Sequence, residues 1–492
     1  MENVEKFEQV KQRQEVIVYI KNYFNEHKKF PETKLLFYRI GRLLGMGAFG
    51  KVNLGMHKLT GKLVAVKSIK KEYLNNERSK KKVMQEYSNL KHLRHPNVIR
   101  LHENFETDKR ILIVTELCSG GDLLNYVKIR KRLPEPMAKF VFKQLIKGLQ
   151  HCHNRGVVHR DIKLDNILLN SSGELKICDF GVSRMVRRGE RIVEYCGTPA
   201  YIAPEILRGK GYEGFGVDIW SAGVALYAIL YGTAPFKSNN IKGLQSLIKK
   251  GKYSLKEDIS YDARDMLRRL LERHPSKRIT IDEILEHKWM QDVNESISLF
   301  SEQEKEMHDL CYLHIRKEGH QSISLFTEQN IDSTQNGLAK NNTTKSLILA
   351  PFNTTRSIQD NSQIDINIEV KEKQKAIIFG IRVRDTDRQY EKNNNIDVDN
   401  GVYNEFVCNE GKENSEENSL SEQELSDSEA IEIKEEELNV SKEANIGYVV
   451  DKSALLQMEK FGYTADYVKS CLNNNELNHA TATYYLITNH YQ

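Results

Sequence analysis

Cysteine is sparse: there are seven in 492 residues, an odd number, scattered without metal-ligand spacing. That argues against a disulfide framework or a thiolate metal site, and reduced thiols in an intracellular protein are expected. An excess of one charge sign is also lacking. With 73 basic and 68 acidic residues the net charge is only +5, which argues against a nucleic-acid partner. No apolar run is long enough to cross a bilayer, and the most apolar stretch, 224–230, has the length of a buried core helix. The sequence does not open on a charged-then-apolar segment, and no internal repeat is evident. The expectation is a soluble cytoplasmic protein without a membrane partner, with the nucleus left open.

What remains is a chain too long for one core, with its charge unevenly placed. The stretch 70–82 is lysine-rich and 410–437 strongly acidic, which predicts a folded basic part and a solvated acidic tail. In residues 1–37, Phe7, Val10, Ile17, Ile20 and Phe24 recur at helical spacing. That predicts an amphipathic helix that packs on the neighbouring domain or docks a partner. Alternation takes over in 38–290. Val52, Leu54 and Met56, then 63–66, predict two strands joined through Leu59-Thr60-Gly61, with further short strands at 111–114 and 175–177. Helices dominate from about residue 135 onward. Residues 291–445 are polar and lack sustained periodicity, which predicts disorder. An apolar patch at 376–383 reads as a strand or docking peptide. A core-forming pattern returns in 446–492.

The first chemical signal is Gly45-Met46-Gly47-Ala48-Phe49-Gly50. A P-loop would place Ser or Thr after Gly50-Lys51 to hold magnesium, but Val52 stands there. A dinucleotide fold would continue into a helix, whereas the residues after Gly50 read as a strand. A hairpin tip whose backbone amides cover the phosphates of ATP fits both facts. Val64-Ala65-Val66-Lys67 follows. On a strand Ala65 and Lys67 share one face, a small residue against adenine and an ammonium beside the α/β-phosphates, while Val64 and Val66 share the other. Lys67 needs an acidic partner, and Glu86 lies on the following helical segment, facing inward with Leu90.

His159-Arg160-Asp161-Ile162-Lys163-Leu164-Asp165-Asn166 and Asp179-Phe180-Gly181 carry the strongest signal. With them the chain, over slightly more than half its length, resembles the eukaryotic protein kinase family, every expected motif standing in order. The resemblance implies an α+β, two-lobed fold with a small, mainly β lobe and a larger helical lobe. It implies ATP and Mg2+ as cofactors, and protein Ser/Thr hydroxyls as acceptors. Asp161 would orient the attacking hydroxyl, Lys163 offset charge on the transferring phosphoryl, and Asn166 and Asp179 bind metal. The nucleotide set would comprise Leu44, Gly45, Gly47, Gly50, Val52, Ala65, Lys67, Glu86, Thr115 at the gatekeeper position, Glu116, Cys118 and Asp122. A loose, highly charged transition state needs cations more than a strong base, which suits these residues. His159 reads as a packed scaffold residue, and Asp218-Ile219-Trp220 as the anchor of a buried helix.

Lys163 together with Gly197-Thr198-Pro199 is the serine/threonine signature, with Thr198 implied to bind Asp161 and Lys163. Cys196 to Glu205 resembles the calcium/calmodulin-dependent kinase group, nearest the AMP-activated and microtubule-affinity-regulating branch. Glu205 is implied to pair with Arg278. Glu194 occupies the position where many relatives carry a phosphothreonine, which points to a permanent carboxylate clamp on Arg160, with Arg184 as a second basic contact; a solvated loop glutamate is the alternative. Asp122 and Asp165 match carboxylates that attract a substrate arginine three residues before the acceptor, while Asp122 equally suits the ATP ribose. In 446–492 three short helices around Phe461-Gly462-Tyr463 resemble ubiquitin-associated domains, with Tyr463 and Leu472 as packing residues and a ubiquitin-like protein or the kinase domain itself as partner. A pseudokinase scaffold is the rival reading, disfavoured by intact Lys67, Asp161, Asn166 and Asp179. Calmodulin control ranks low, because 291–310 is not basic.

Overall fold

The alternating segment folds into an antiparallel sheet of five strands: β1 (Tyr38–Met46), β2 (Gly50–His57), β3 (Leu63–Lys70), β4 (Leu101–Glu106) and β5 (Arg110–Glu116), in the order β1-β2-β3-β5-β4. The computed structural model describes residues 2–46, 50–74, 77–187, 189–306 and 450–488. The loop tip Gly47-Ala48-Phe49, the patch 376–383 and the acidic run 410–437 lie outside the described residues. The β2–β3 turn closes at Gly61, whose φ of 72° lies in the left-handed region that glycine enters without a Cβ penalty. Helix α2 (Glu77–Lys91) follows β3 and carries Glu86.

The larger lobe is built from α3 (Leu123–Arg130), α4 (Glu135–Asn154), α5 (Gly214–Tyr231), α6 (Ile241–Lys250), α7 (Tyr261–Leu270) and α8 (Ile281–Glu286). Among the described residues α5 alone has membrane-spanning length and apolarity, and 83% of it is buried inside the protein, as a core helix requires. Short strands β6 (Gly121–Asp122), β7 (Val157–Val158), β8 (Ile167–Leu169) and β9 (Leu175–Ile177) carry the loops at the mouth of this lobe.

Two expectations need correction. The helix α1 (Glu2–His27) forms, and among its described side chains Val16, Ile17 and Ile20 are buried, whereas Phe7 and Val10 are 72% and 61% exposed. Its later turns lie against other elements while Phe7 and Val10 face solvent, so the apolar spacing overstates the packed face. Disorder predicted from residue 291 begins too early. Residues 291–306 continue as a strap on the helical lobe, anchored by buried Leu299 and Phe300. The Leu299 carbonyl accepts from the Tyr126 hydroxyl, and Arg130 pairs with Glu304 at 2.6 Å. Val293, Ile297, Leu299 and Phe300 stand among polar residues without a sustained helical or strand period, so the sequence carries no sign of this anchor.

The C-terminal helices are α9 (Lys452–Lys460), α10 (Ala465–Asn473) and α11 (His479–Thr488). Asp451 caps α9 and Thr464 caps α10, each accepting backbone N–H groups of the first turn. Gly462, at φ 98°, separates the first two, and a Cβ there would stand 3.0 Å from the Lys21 side chain of α1. The unit packs with α1 on the outer face of the sheet. Val16 and Ile20, then Val64, Val66 and Leu112, then Met458, Val468 and Leu486 belong to one buried cluster. Phe30 stands 5.2 Å from the Tyr463 ring and 4.2 Å from that of Tyr467, and Phe37 stacks on His479 at 3.7 Å.

This interface holds polar groups that must be mutually satisfied. Nδ1 of His57 lies 3.0 Å from the Thr60 hydroxyl and 3.4 Å from the Thr60 backbone nitrogen, which leaves Nε2 for the interface. That Nε2 faces Nε2 of His479 at 3.0 Å, and His479 Nδ1 lies 2.6 Å from the Tyr463 hydroxyl. Both rings are neutral in this arrangement. Burial drives the His57 pKa down to about 3 and that of His479 well below the usual imidazole value.

Candidate active site

The pleat of β3 sorts its residues. Val64 and Val66 are fully buried on the outer face, while Ala65 and Lys67 point to the inner face between the lobes. Lys67 Nζ lies 2.7 Å from both carboxylate oxygens of Glu86. Burial alone would lower the lysine pKa, but Glu86 and Asp179 outweigh it and leave the pKa raised, so the ammonium is fixed as a cation. Ala65 pairs with Thr115 across β5, and Val52 pairs with Lys67 across β2. Leu44 and Gly45 at the end of β1 are half-buried, and Gly47 lies outside the described residues. Gly50 admits no side chain, since its Cβ would meet the Ser68 carbonyl oxygen at 2.3 Å.

Glu116, at the end of β5, accepts the Arg100 N–H at 2.7 Å and pairs with fully buried Lys176 at 3.1 Å. Cys118 is half-buried; burial first, and Glu116 next, push its thiol well above the ordinary range, so it stays protonated. Asp122 is a helix cap, its carboxylate accepting from the backbone and side-chain nitrogens of Asn125. Burial raises its pKa, with Asp165 adding repulsion. The cap is a third role that the sequence reading left out.

The catalytic-loop residues converge. Asp161 Oδ1 accepts the Thr198 N–H at 2.9 Å and its hydroxyl at 2.8 Å. Lys163 Nζ stands 3.0 Å from Asp161 Oδ2 and donates to the Thr198 hydroxyl at 3.0 Å. Asn166 Nδ2 donates to the Asp161 carbonyl and carboxylate at 2.9 and 3.1 Å, which leaves its amide oxygen as the group for a cation. Arg160 and Asp179 both hold left-handed backbone, φ 66° and 63°, a cost tolerated where the surroundings over-determine it. Asp218 supplies that restraint for the loop, accepting the His159 and Arg160 N–H groups at 2.9 and 2.8 Å, and His153 Nε2 lies 2.8 Å away. Burial would raise the Asp218 pKa, but its hydrogen bonds and His153 hold it low. His159 is fully buried with Nε2 on the Cys178 carbonyl, a packing role.

In the segment after Asp179, Glu194 lies 2.6 and 2.8 Å from Arg184 Nη1 through its two oxygens and 3.6 Å from Arg160. The expected main partner was Arg160; the structure makes Arg184 the closer one, with both carboxylate oxygens on its Nη1, while Arg160 gives its Nε to the Val182 carbonyl. Glu205 and Arg278 form a buried bidentate pair at 2.6 and 2.9 Å. Sequence reasoning missed Asn89, which donates to Ser183 at 2.7 Å and ties α2 to the activation segment, and the Lys176–Glu116 pair. Neither neighbour pair is close in the chain, so no local pattern could reveal it.

The comparisons agree with this geometry. The chain is 44% identical over 254 residues, 52% of its length, to serine/threonine protein kinase OSK3 of Oryza sativa subsp. indica, covering 50% of that protein. It is 43% identical over 252 residues to SNF1-related protein kinase catalytic subunit alpha KIN12 of Arabidopsis thaliana, covering 51% of each. The chain thus spans about half the length of the curated relatives it matches. Residues 38–290, slightly more than half of the chain, match the protein kinase domain family, and the chain belongs to it.

Proposed function

We propose that this chain transfers the γ-phosphoryl of ATP to Ser/Thr hydroxyls of intracellular proteins. The observation that carries the reading is the Asp161–Lys163–Thr198 cluster with Asn166, set against an intact Lys67–Glu86 pair. Asp161 accepts and orients the acceptor hydroxyl, and Lys163 balances charge beside it. Lys67, held by Glu86, positions the α/β-phosphates. Asn166 and Asp179 offer hard oxygen donors, the type that suits Mg2+. Bound there, the ion would neutralise phosphate charge. ATP turnover by the full chain on a basic peptide, with Mg2+, tests the assignment, and a nucleotide-binding protein without transfer would instead be a scaffold.

The acceptor preference follows from Asp122 and Asp165, whose proximity favours an arginine three residues before the acceptor. One charge-assisted pair is worth about 1.5–3 kcal/mol, or roughly ten- to a hundredfold in specificity. A peptide library without basic preference would exclude it. Glu194, bridging Arg184 and Arg160, serves as a standing substitute for a phosphate on the activation segment. The C-terminal helices resemble a ubiquitin-associated module whose partner is the kinase domain of the same chain.

A further inference from the structure

The chain passes between the lobes through 117–122, a hinge that leads from β5 into α3. Glu116 is the last residue before it, and its carboxylate serves two other segments. Oε1 accepts the Arg100 N–H at 2.7 Å, and the Glu116 N–H donates to the Arg100 carbonyl at 3.0 Å. Oε2 lies 3.1 Å from Nζ of Lys176, whose side chain is fully buried, while that of Glu116 is 9% exposed. Withdrawing both charges from water costs about as much as their attraction returns, so stability alone does not account for such a pair.

Lys176 stands on β9, three residues before Asp179, and pairs with Leu168 of β8. The strand is tied along its length. The Ile177 N–H donates to the Asn97 carbonyl at 2.9 Å, and the Ile177 carbonyl accepts the Ile99 N–H at 2.8 Å. The Cys178 N–H donates to the Asn166 carbonyl at 3.0 Å. Asn166 and Asp179, the two oxygen donors for a cation, are therefore both fastened to β9, and Lys176 fastens β9 to the hinge. Cys118, within the hinge, has Glu116, Lys176 and Cys178 as electrostatic neighbours, so the tie lies between the hinge and the metal-binding segment.

We propose that the Lys176–Glu116 pair is a strut that fixes the spacing between the hinge, which receives the adenine, and Asp179, which holds the metal. A ligand with adenine at one end and metal-bound phosphates at the other needs that spacing. A ligand that stops at the hinge does not. Both side chains are positioning residues, acting through the segments they join. Misplacing a binding group by about 1 Å is enough to weaken such a two-ended fit severely. The inference rests on the reading of 38–290 as an ATP-dependent kinase, but its key measurement is binding.

The test uses the full chain and compares MgATP with adenosine, which lacks the phosphates. In the double variant Lys176→Met/Glu116→Gln neither charge is left buried alone, and the amide oxygen introduced at 116 still accepts the Arg100 N–H. Calorimetry should show MgATP bound about tenfold more weakly than by the wild type, with adenosine affinity changed by less than about twofold. Equal losses for the two ligands would make the pair a support of the hinge alone, and unchanged or tighter MgATP binding would make it plain packing; either result overturns the strut. If the double variant fails to fold, amide exchange in the wild type decides. Adenosine should slow exchange in β9 at 175–177, all of them buried, and exchange that adenosine leaves alone or speeds up would overturn the proposal. A wild-type chain that binds MgATP without transferring phosphate would sink the kinase reading and leave the affinity comparison intact.

Discussion

The two faces of the small lobe's sheet use one alternating pattern for opposite ends. On the inner face Lys67 keeps its charge because two carboxylates answer it. On the outer face polar groups lose theirs: His57 and His479 stand nitrogen to nitrogen, and Glu103, which accepts from Thr33 and Tyr38, is pushed by burial to about 7. The lesson is that burial alone does not decide ionisation. Both faces exclude water, but only the inner one supplies counter-charge, and so only it is built to bind a polyanion.

That contrast can be broken in graded ways. The largest effect is expected on the inner face. Lys67→Met and Asp161→Asn should each cut phosphoryl transfer by at least about a hundredfold in a peptide assay, with little change in the urea midpoint. The lysine variant should lose nucleotide binding as well, while the aspartate variant should retain it. Near-normal turnover in either would remove the site. Leu112→Ala on the outer face inverts the pattern. Leu112 is 1% exposed, and its loss should cost about 2–5 kcal/mol in urea unfolding. The rate at saturating ATP should stay within about twofold, since no reacting group is touched.

A smaller effect is expected at the exposed edge of the cleft. Glu194→Ala should lower activity about tenfold, corresponding to about 1.4 kcal/mol for the lost arginine pairing. Protein made in bacteria and treated with phosphatase should be active beforehand. Inert unmodified protein that wakes only when another kinase modifies the segment would defeat the clamp.

The last expected effect, on stability rather than rate, is acid sensitivity of the outer face. His57 and His102 are lowered to about 3 and His479 well below its ordinary value, all by burial, so these rings are neutral when folded. The unfolded chain takes up protons as pH falls through about 6.5, and stability is lost from there downward. Glu103 opposes this: its raised pKa makes the folded state the better proton binder between about 4.5 and 7, which adds stability as pH falls. Three rings against one carboxyl leave a net loss of about 2 kcal/mol between pH 7.5 and 5.5. Urea titrations at the two pH values check it, and equal or greater stability at pH 5.5 would show that the histidines are hydrated.

The sequence by itself determined the strand alternation that separates Ala65 and Lys67 from Val64 and Val66 and the residues of the catalytic loop, and the resemblance those motifs carry implied the two lobes. Each of these is a short-range pattern, set by a period of two, a helical period, or motif spacing within a few residues. Thr464, a capping residue type, and Gly462, a helix breaker, are local signals of the same kind. Only the tertiary structure decided which turns of α1 are buried, that Leu299 and Phe300 anchor a strap, that Arg184 rather than Arg160 is the closer partner of Glu194, and that His479 meets His57. His57 and His479 lie hundreds of residues apart, and their meeting depends on two surfaces matching in shape while every buried donor finds an acceptor. No local periodicity encodes that match, because it is a property of the assembled faces rather than of either segment.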